Sequence, residues 1–252
     1  MTRILLTVAL FMLAVSPVAA QDPDEHEAPA PEGQVIGLLM VPTVMPANAC
    51  APVTVGTSVR LYAARDAPTP IGEIRVVRGP LEPDARASNC QEGPDVRVTV
   101  RGATFSLVTE EHGYEEESLI VTATEQDWYQ IRTGGTPGLL WMRRTPGSVY
   151  RPLAELFKGS LTYLNDSWDR RLYTSPYGGF TVIPRLPASN GRFEPAVNVN
   201  EVAVVDGVYW ARVTFVESCD PDDPVPRGRG WVKVHEPQPT WRPTLWFYSR
   251  GC

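Results

Sequence analysis

The chain has 252 residues, 43% of them hydrophobic, and a formal net charge of −6 at pH 7. That mildly acidic balance argues against a nucleic-acid partner, for which a clustered basic face is expected. Proline occupies 25 positions, about twice the usual ~5%. Together with the many Val, Thr, Tyr and Trp residues, it predicts short punctuated strands rather than helices.

Residues 1–20 read as a secretory signal peptide. Arg3 supplies the positive start, Ile4 to Val15 an uncharged apolar core, and Val18 and Ala20 the small residues before a cleavage point at Gln21. The core is shorter than the ~20 residues a bilayer requires, which argues against the alternative of a retained anchor. No later run is long and apolar enough to span a membrane. The expected location is periplasmic or extracellular. Residues 21–33 (QDPDEHEAPAPEG) are acidic and Pro/Ala-rich, and read as a flexible tether.

Four cysteines, Cys50, Cys90, Cys219 and Cys252, stand in an exported chain. An even count there reads as two disulfides, with three pairings open. Cys50–Cys90 with Cys219–Cys252 keeps each bridge within one half of the chain. A zinc site is the rival reading. It lacks a C-x-x-C pair, and His26, His112 and His235 do not sit near the cysteines at ligand spacing, so no metal or cofactor is expected.

Structure is expected to begin at Gln34 to Met40, an apolar run bounded by Gly33 and Pro42. Beyond it the chain carries a distant internal repeat. Arg60-Leu61-Tyr62 matches Arg171-Leu172-Tyr173, and each is followed by a Pro/Gly turn. Trp128-Tyr129-Gln130-Ile131 matches Trp210-Ala211-Arg212-Val213. Each of these leads to a second tryptophan strand, Gly138 to Met142 in the first half and Gly230 to Val234 in the second. Leu61 lies farther from Trp128 than Leu172 does from Trp210, so the first half carries an insertion near Val77 to Arg101. Conversely, Glu217 to Arg229 is an extra loop in the second half. Between the halves, Pro152 to Lys158 predicts a short helix with Pro in its first turn and Gly159 past its end. Trp241 to Tyr248 predicts a last strand.

The motifs W-x-x-[IV], turn, G-W-V resemble the bacterial Src-homology-3-like domain. Trp210 to Val213 with Gly230-Trp231-Val232 carry the likeness most fully, Trp128 to Ile131 with Gly138 to Trp141 less so. The resemblance implies an all-β chain of two small Src-homology-3-like barrels in tandem, residues 34–147 and 167–252, joined by a linker with a short helix at 148–166. It also implies a binding or structural module that recognises a peptide, a protein partner or peptidoglycan.

Strand alternation turns Trp128 and Trp210 outward if Ile131 and Val213 face a core. With Tyr62, Tyr173 and Tyr209 nearby, they are the candidate ligand-binding residues, able to stack on a sugar or a proline-rich peptide. The alternative is that each Trp is capped by its own loop or by the other half. The acidic run Glu110 to Glu117 reads as a solvated turn rather than a cation site. Asp220 to Asp223 lack the spacing of a calcium loop. No catalytic residues are assigned, since no nucleophile and base stand in a recognisable motif; a small envelope hydrolase or inhibitor is the alternative. Asn165-Asp166-Ser167 is a glycosylation sequon, relevant only in a eukaryotic host.

Overall fold

Two stretches are apolar without alternation, Gly37–Met40 (GLLM) and the centre of Glu117–Glu125 (ESLIVTATE). A strand with no polar face must be buried on both sides. A computed structural model describes residues 33–46, 52–79, 94–111, 117–158, 162–184, 195–216, 228–236 and 243–247. In it these two strands lie side by side, with a hydrophobic core on each face.

The described chain is almost entirely β. In order come β1 (Gly37–Met40), β2 (Ser58–Tyr62), β3 (Gly72–Arg78), β4 (Asp95–Val100), β5 (Ala103–Ser106), β6 (Thr109–Glu111), β7 (Glu117–Glu125), β8 (Trp128–Arg132), β9 (Leu139–Arg143) and β10 (Val149–Pro152). After the helix α1 (Leu153–Leu156) follow β11 (Thr162–Leu164), β12 (Arg171–Tyr173), β13 (Phe180–Val182), β14 (Ala196–Val205), β15 (Val208–Phe215), β16 (Arg229–Lys233) and β17 (Leu245–Phe247).

The strands form two antiparallel sheets. The first runs β10-β1-β7-β8-β9-β2-β3-β4-β5, with β6 pairing β7; the second, read from its far edge, runs β17-β11-β14-β15-β16-β12-β13. Position by position, the second sheet repeats the first seven strands of the first. Registers repeat as well. Tyr62 pairs with Trp141 and Tyr173 with Trp231, while Trp128 pairs with Arg143 and Trp210 with Lys233. The insertion expected near Val77 to Arg101 contains β4, which with β5 extends the first sheet beyond β3.

Among the described residues neither sheet closes into a barrel, so the tandem-barrel expectation narrows to two antiparallel sheets. Nor does each half own a separate core. One core holds Leu39, Leu61, Ile74, Leu119, Val121, Ile131 and Met142 of the first half. The other joins Val35, Leu38 and Ile120, together with Leu153, Leu156 and Phe157 around α1, to Leu164, Leu172, Val197, Val213, Val232 and Leu245 of the second half. Adjacent residues Leu38 and Leu39 thus enter different cores, and both are almost fully buried. Each such leucine contributes about 1.5–3 kcal/mol by leaving water.

The stretch 148–166, expected as a linker, gives β10 to the first sheet, β11 to the second and α1 to the shared core. Its strands are too short to show a period. The helix is shorter than expected, Leu153–Leu156, following Pro152, whose side chain makes no capping bond. Residues 1–32, the four cysteines, His112 and Asp220 to Pro224 lie outside the described residues, as do the expectations placed on them.

Candidate functional site

The repeated register builds the same aromatic arrangement in both halves. Tyr62 meets Trp128 edge to face at 5.2 Å between ring centroids, and Tyr173 meets Trp210 likewise at 5.1 Å. A cation from the neighbouring strand stands over each indole, Arg143 at 5.2 Å from the Trp128 ring and Lys233 at 5.5 Å from that of Trp210.

The two indoles differ in access. Trp210 is only 5% exposed and presents no open face, which removes it as a stacking surface. Trp128 is half-buried. The cause is hairpin length. Trp128 pairs with Glu125 at the last position before the Gln126–Asp127 turn. Trp210 pairs with Ala203, and the hairpin continues through Val204–Tyr209 and Val205–Val208 before turning at Asp206–Gly207. Both turn residues have positive φ, 52° and 72°, as a tight two-residue hairpin requires. The longer hairpin carries Trp210 inward from its tip.

Of the remaining candidates, Tyr62 and Tyr173 are the rings that meet the indoles at near right angles. Tyr173 also contacts Phe180 at 5.4 Å, and its hydroxyl donates to Asp169 at 3.3 Å. Tyr209 packs against both cores and lies 6.5 Å from the His235 ring. It belongs to the junction between the halves, away from Trp128.

Trp128 opens onto a shallow depression of about 690 Å³ lined by Gln126, Asp127, Arg143, Arg144, Thr145, Pro146 and Gly147. Two arginines face one aspartate there, which makes a cationic spot on an acidic chain. Sequence reading singled out neither Arg143 nor Arg144; adjacent arginines at a strand end resemble ordinary surface charges. Glu125, at the rim, is ion-paired with Arg65.

A second polar group sits between the halves. The Gln34 carboxamide donates to the Gly207 carbonyl at 3.1 Å and accepts from the Tyr209 N–H at 3.2 Å and the His235 Nδ1–H at 3.1 Å. This orientation, assigned from the bonding network, leaves His235 Nε2 buried and unpartnered. Burial, aided by the Arg132 charge, pushes the imidazole down to about 3, so His235 is neutral. Arg132 in turn donates to the Gly33 carbonyl at 2.7 Å. Burial raises the Glu110 carboxyl above its ordinary range, while Arg132 and the Trp246 side chain act the other way. Glu110 lies on β6, half-buried beside Arg132, while residues 112–116 of the expected solvated turn lie outside the described residues. Sealed and neutral, His235 serves as a structural hydrogen-bond donor to Gln34.

A smaller recess of about 310 Å³ lies beside β11, lined by Leu164, Asn165, Asp166, Trp168, Arg170, Pro184 and Pro195. Asn165 there ties the chain locally, its amide donating to the Pro243 carbonyl at 2.5 Å and its oxygen accepting from Ser167 Oγ at 2.6 Å. No protein-family model, curated protein or solved structure matches the chain.

Proposed function

We propose that the protein is an exported, non-enzymatic binding or scaffolding protein of a bacterial cell envelope, and that its ligand docks at Trp128. The reading takes the two halves as divergent Src-homology-3-like units working in the periplasm or outside the cell. Export rests on the signal-peptide pattern of residues 1–20. The ligand classes are a peptide, a protein partner or cell-wall glycan. Peptidoglycan offers both a glycan and a peptide and is the first to test.

One observation carries the proposal. The same Tyr–Trp–cation arrangement occurs twice, and the copy at Trp128 remains half-exposed beside an open depression. A partly buried indole held at a near right angle to a tyrosine ring is pre-oriented, so little side-chain freedom is lost on binding. Stacking on it and pairing with Arg143 or Arg144 are the interactions it offers.

The test is co-sedimentation of the full chain with purified peptidoglycan. Trp128→Ala is expected to weaken retention about tenfold, the loss of ~1.4 kcal/mol typical of an interface anchor. Wild-type retention by that variant would refute the Trp128 site.

A further inference from the structure

The corner beside Trp128 has a counterpart in the second half, and there it is filled. A backbone bond marks both corners: Val234 N–H donates to the Tyr209 carbonyl at 2.9 Å, and Arg144 N–H to the Asp127 carbonyl at 2.7 Å. With Trp128 matched to Trp210 and Arg143 to Lys233, Asp127 stands where Tyr209 stands, Arg144 where Val234 stands and Thr145 where His235 stands. In the second half the corner receives the Gln34 carboxamide, delivered by the segment that leads into β1. In the first half, Asp127, Arg144 and Thr145 all line the open depression. Every residue lining it comes from the β7–β8 hairpin or from β9 and the turn that follows.

We infer that the Trp128 corner takes a carboxylate carried by an extended peptide, in the way that the Tyr209–His235 corner takes the carboxamide of Gln34. This rests on the reading of Trp128 as the ligand platform, and adds the chemistry of what docks there. The substitutions between the corners set the preference. Where the filled corner has Tyr209 and neutral His235, the open one has Asp127 and Thr145 with Arg144 beside them, and the guanidinium groups of Arg143 and Arg144 outnumber the one carboxylate. A carboxamide needs a donor and an acceptor around it, and Gly207, Tyr209 and His235 supply both. A guanidinium supplies only donors, in a fork that fits a carboxylate. Arg143 adds a second cation, held over the Trp128 ring. Two guanidinium groups against the single Asp127 carboxylate leave this spot net positive on a chain of net charge −6, which favours an anion here. The peptide preceding the carboxylate then lies over Trp128.

The carboxylate has two sources, a chain terminus or an acidic side chain, and three probes separate them. These are acetyl-Ala-Ala-Ala with a free terminus, the same peptide as its C-terminal amide, and acetyl-Ala-Glu-Ala amide. The readout is the Trp128 indole N–H signal in the full chain labelled with nitrogen-15 tryptophan, assigned with Trp128→Phe. A shift with the free acid but not its amide assigns a terminus; a shift with the Glu peptide assigns a side chain. Either supports the inference if Arg144→Ala weakens the response at least about tenfold, as loss of a charged hydrogen bond implies. An equal shift with the free acid and its amide, or a response unchanged in Arg144→Ala, overturns it. So does silence toward all three probes while peptidoglycan retention remains Trp128-dependent, and that result leaves the platform reading standing. Trp128-independent retention removes the platform itself.

Discussion

Gln34 and His235 hydrogen-bond at 3.1 Å across 201 positions of sequence. The contact pins the start of the first half into the hairpin corner of the second, beneath Arg132 and beside Tyr209. It explains why a glutamine is fully buried there.

Removing that carboxamide strips partners from the Tyr209 N–H, the Gly207 carbonyl and the His235 ring at once. Gln34→Ala is expected to destabilise the protein by about 1–3 kcal/mol, the cost of buried groups left unpaired. Chemical denaturation with an unchanged slope checks it.

The buried imidazole also predicts how stability varies with pH. His235 has a folded value of about 3 against an ordinary 6.5, so between those limits the unfolded chain binds a proton that the folded chain excludes. Stability therefore rises as pH is raised from about 3 to 6.5 and levels off above, at up to ~1.4 kcal/mol per unit for one proton. Arg132 faces His235 and adds to this sense. Glu110, whose carboxyl is raised, acts oppositely as pH climbs past its ordinary 4.5. In His235→Asn, the side-chain amide can still donate to Gln34. This variant is expected to flatten the slope between pH 5 and 6.5, measured by melts across that range; an unchanged slope would contradict the assignment.

Leu38 and Ile120 place the first half's side chains in the core of the second. The halves are accordingly expected to unfold in one calorimetric transition rather than two. Leu38→Ala is expected to cost about 2–5 kcal/mol while keeping that single transition.

The two tryptophans of the repeat are expected to separate stability from binding. Trp210→Ala opens a cavity at a residue 5% exposed and is expected to cost about 3–5 kcal/mol. Trp128→Ala removes a half-exposed ring and is expected to cost no more than about 1.5 kcal/mol. Paired thermal melts measure the difference.

The repeat was legible because it is written in large residues. Tyr62, Trp128, Trp141 and their partners Tyr173, Trp210, Trp231 recur in order, and the same strand path runs through both sets. Strand existence was also legible, from apolar runs and proline punctuation. The shared core was not. The unbroken apolarity of Leu38-Leu39 and Leu119-Ile120-Val121 signals burial on two faces, but nothing local names the element that covers the second face. The fate of Trp210 depended on the extra length of its hairpin, which Val202 to Val205 do not reveal until the turn at Asp206–Gly207 is placed. Gln34 was hidden for a similar reason. A single polar residue at the edge of an apolar run looks like the end of a tether, and its partners lie in the other half. Arg143 and Arg144 became noticeable only once the register set one over an indole and the other at the corner.

The most direct test of an open corner at Trp128 and a filled one at His235 is peptidoglycan retention measured side by side for Trp128→Ala and Gln34→Ala, each with its melting temperature. The account predicts that Trp128→Ala loses retention and melts near wild type, whereas Gln34→Ala melts lower and is retained as wild type. Full retention of Trp128→Ala, or loss of retention in folded Gln34→Ala, would contradict it.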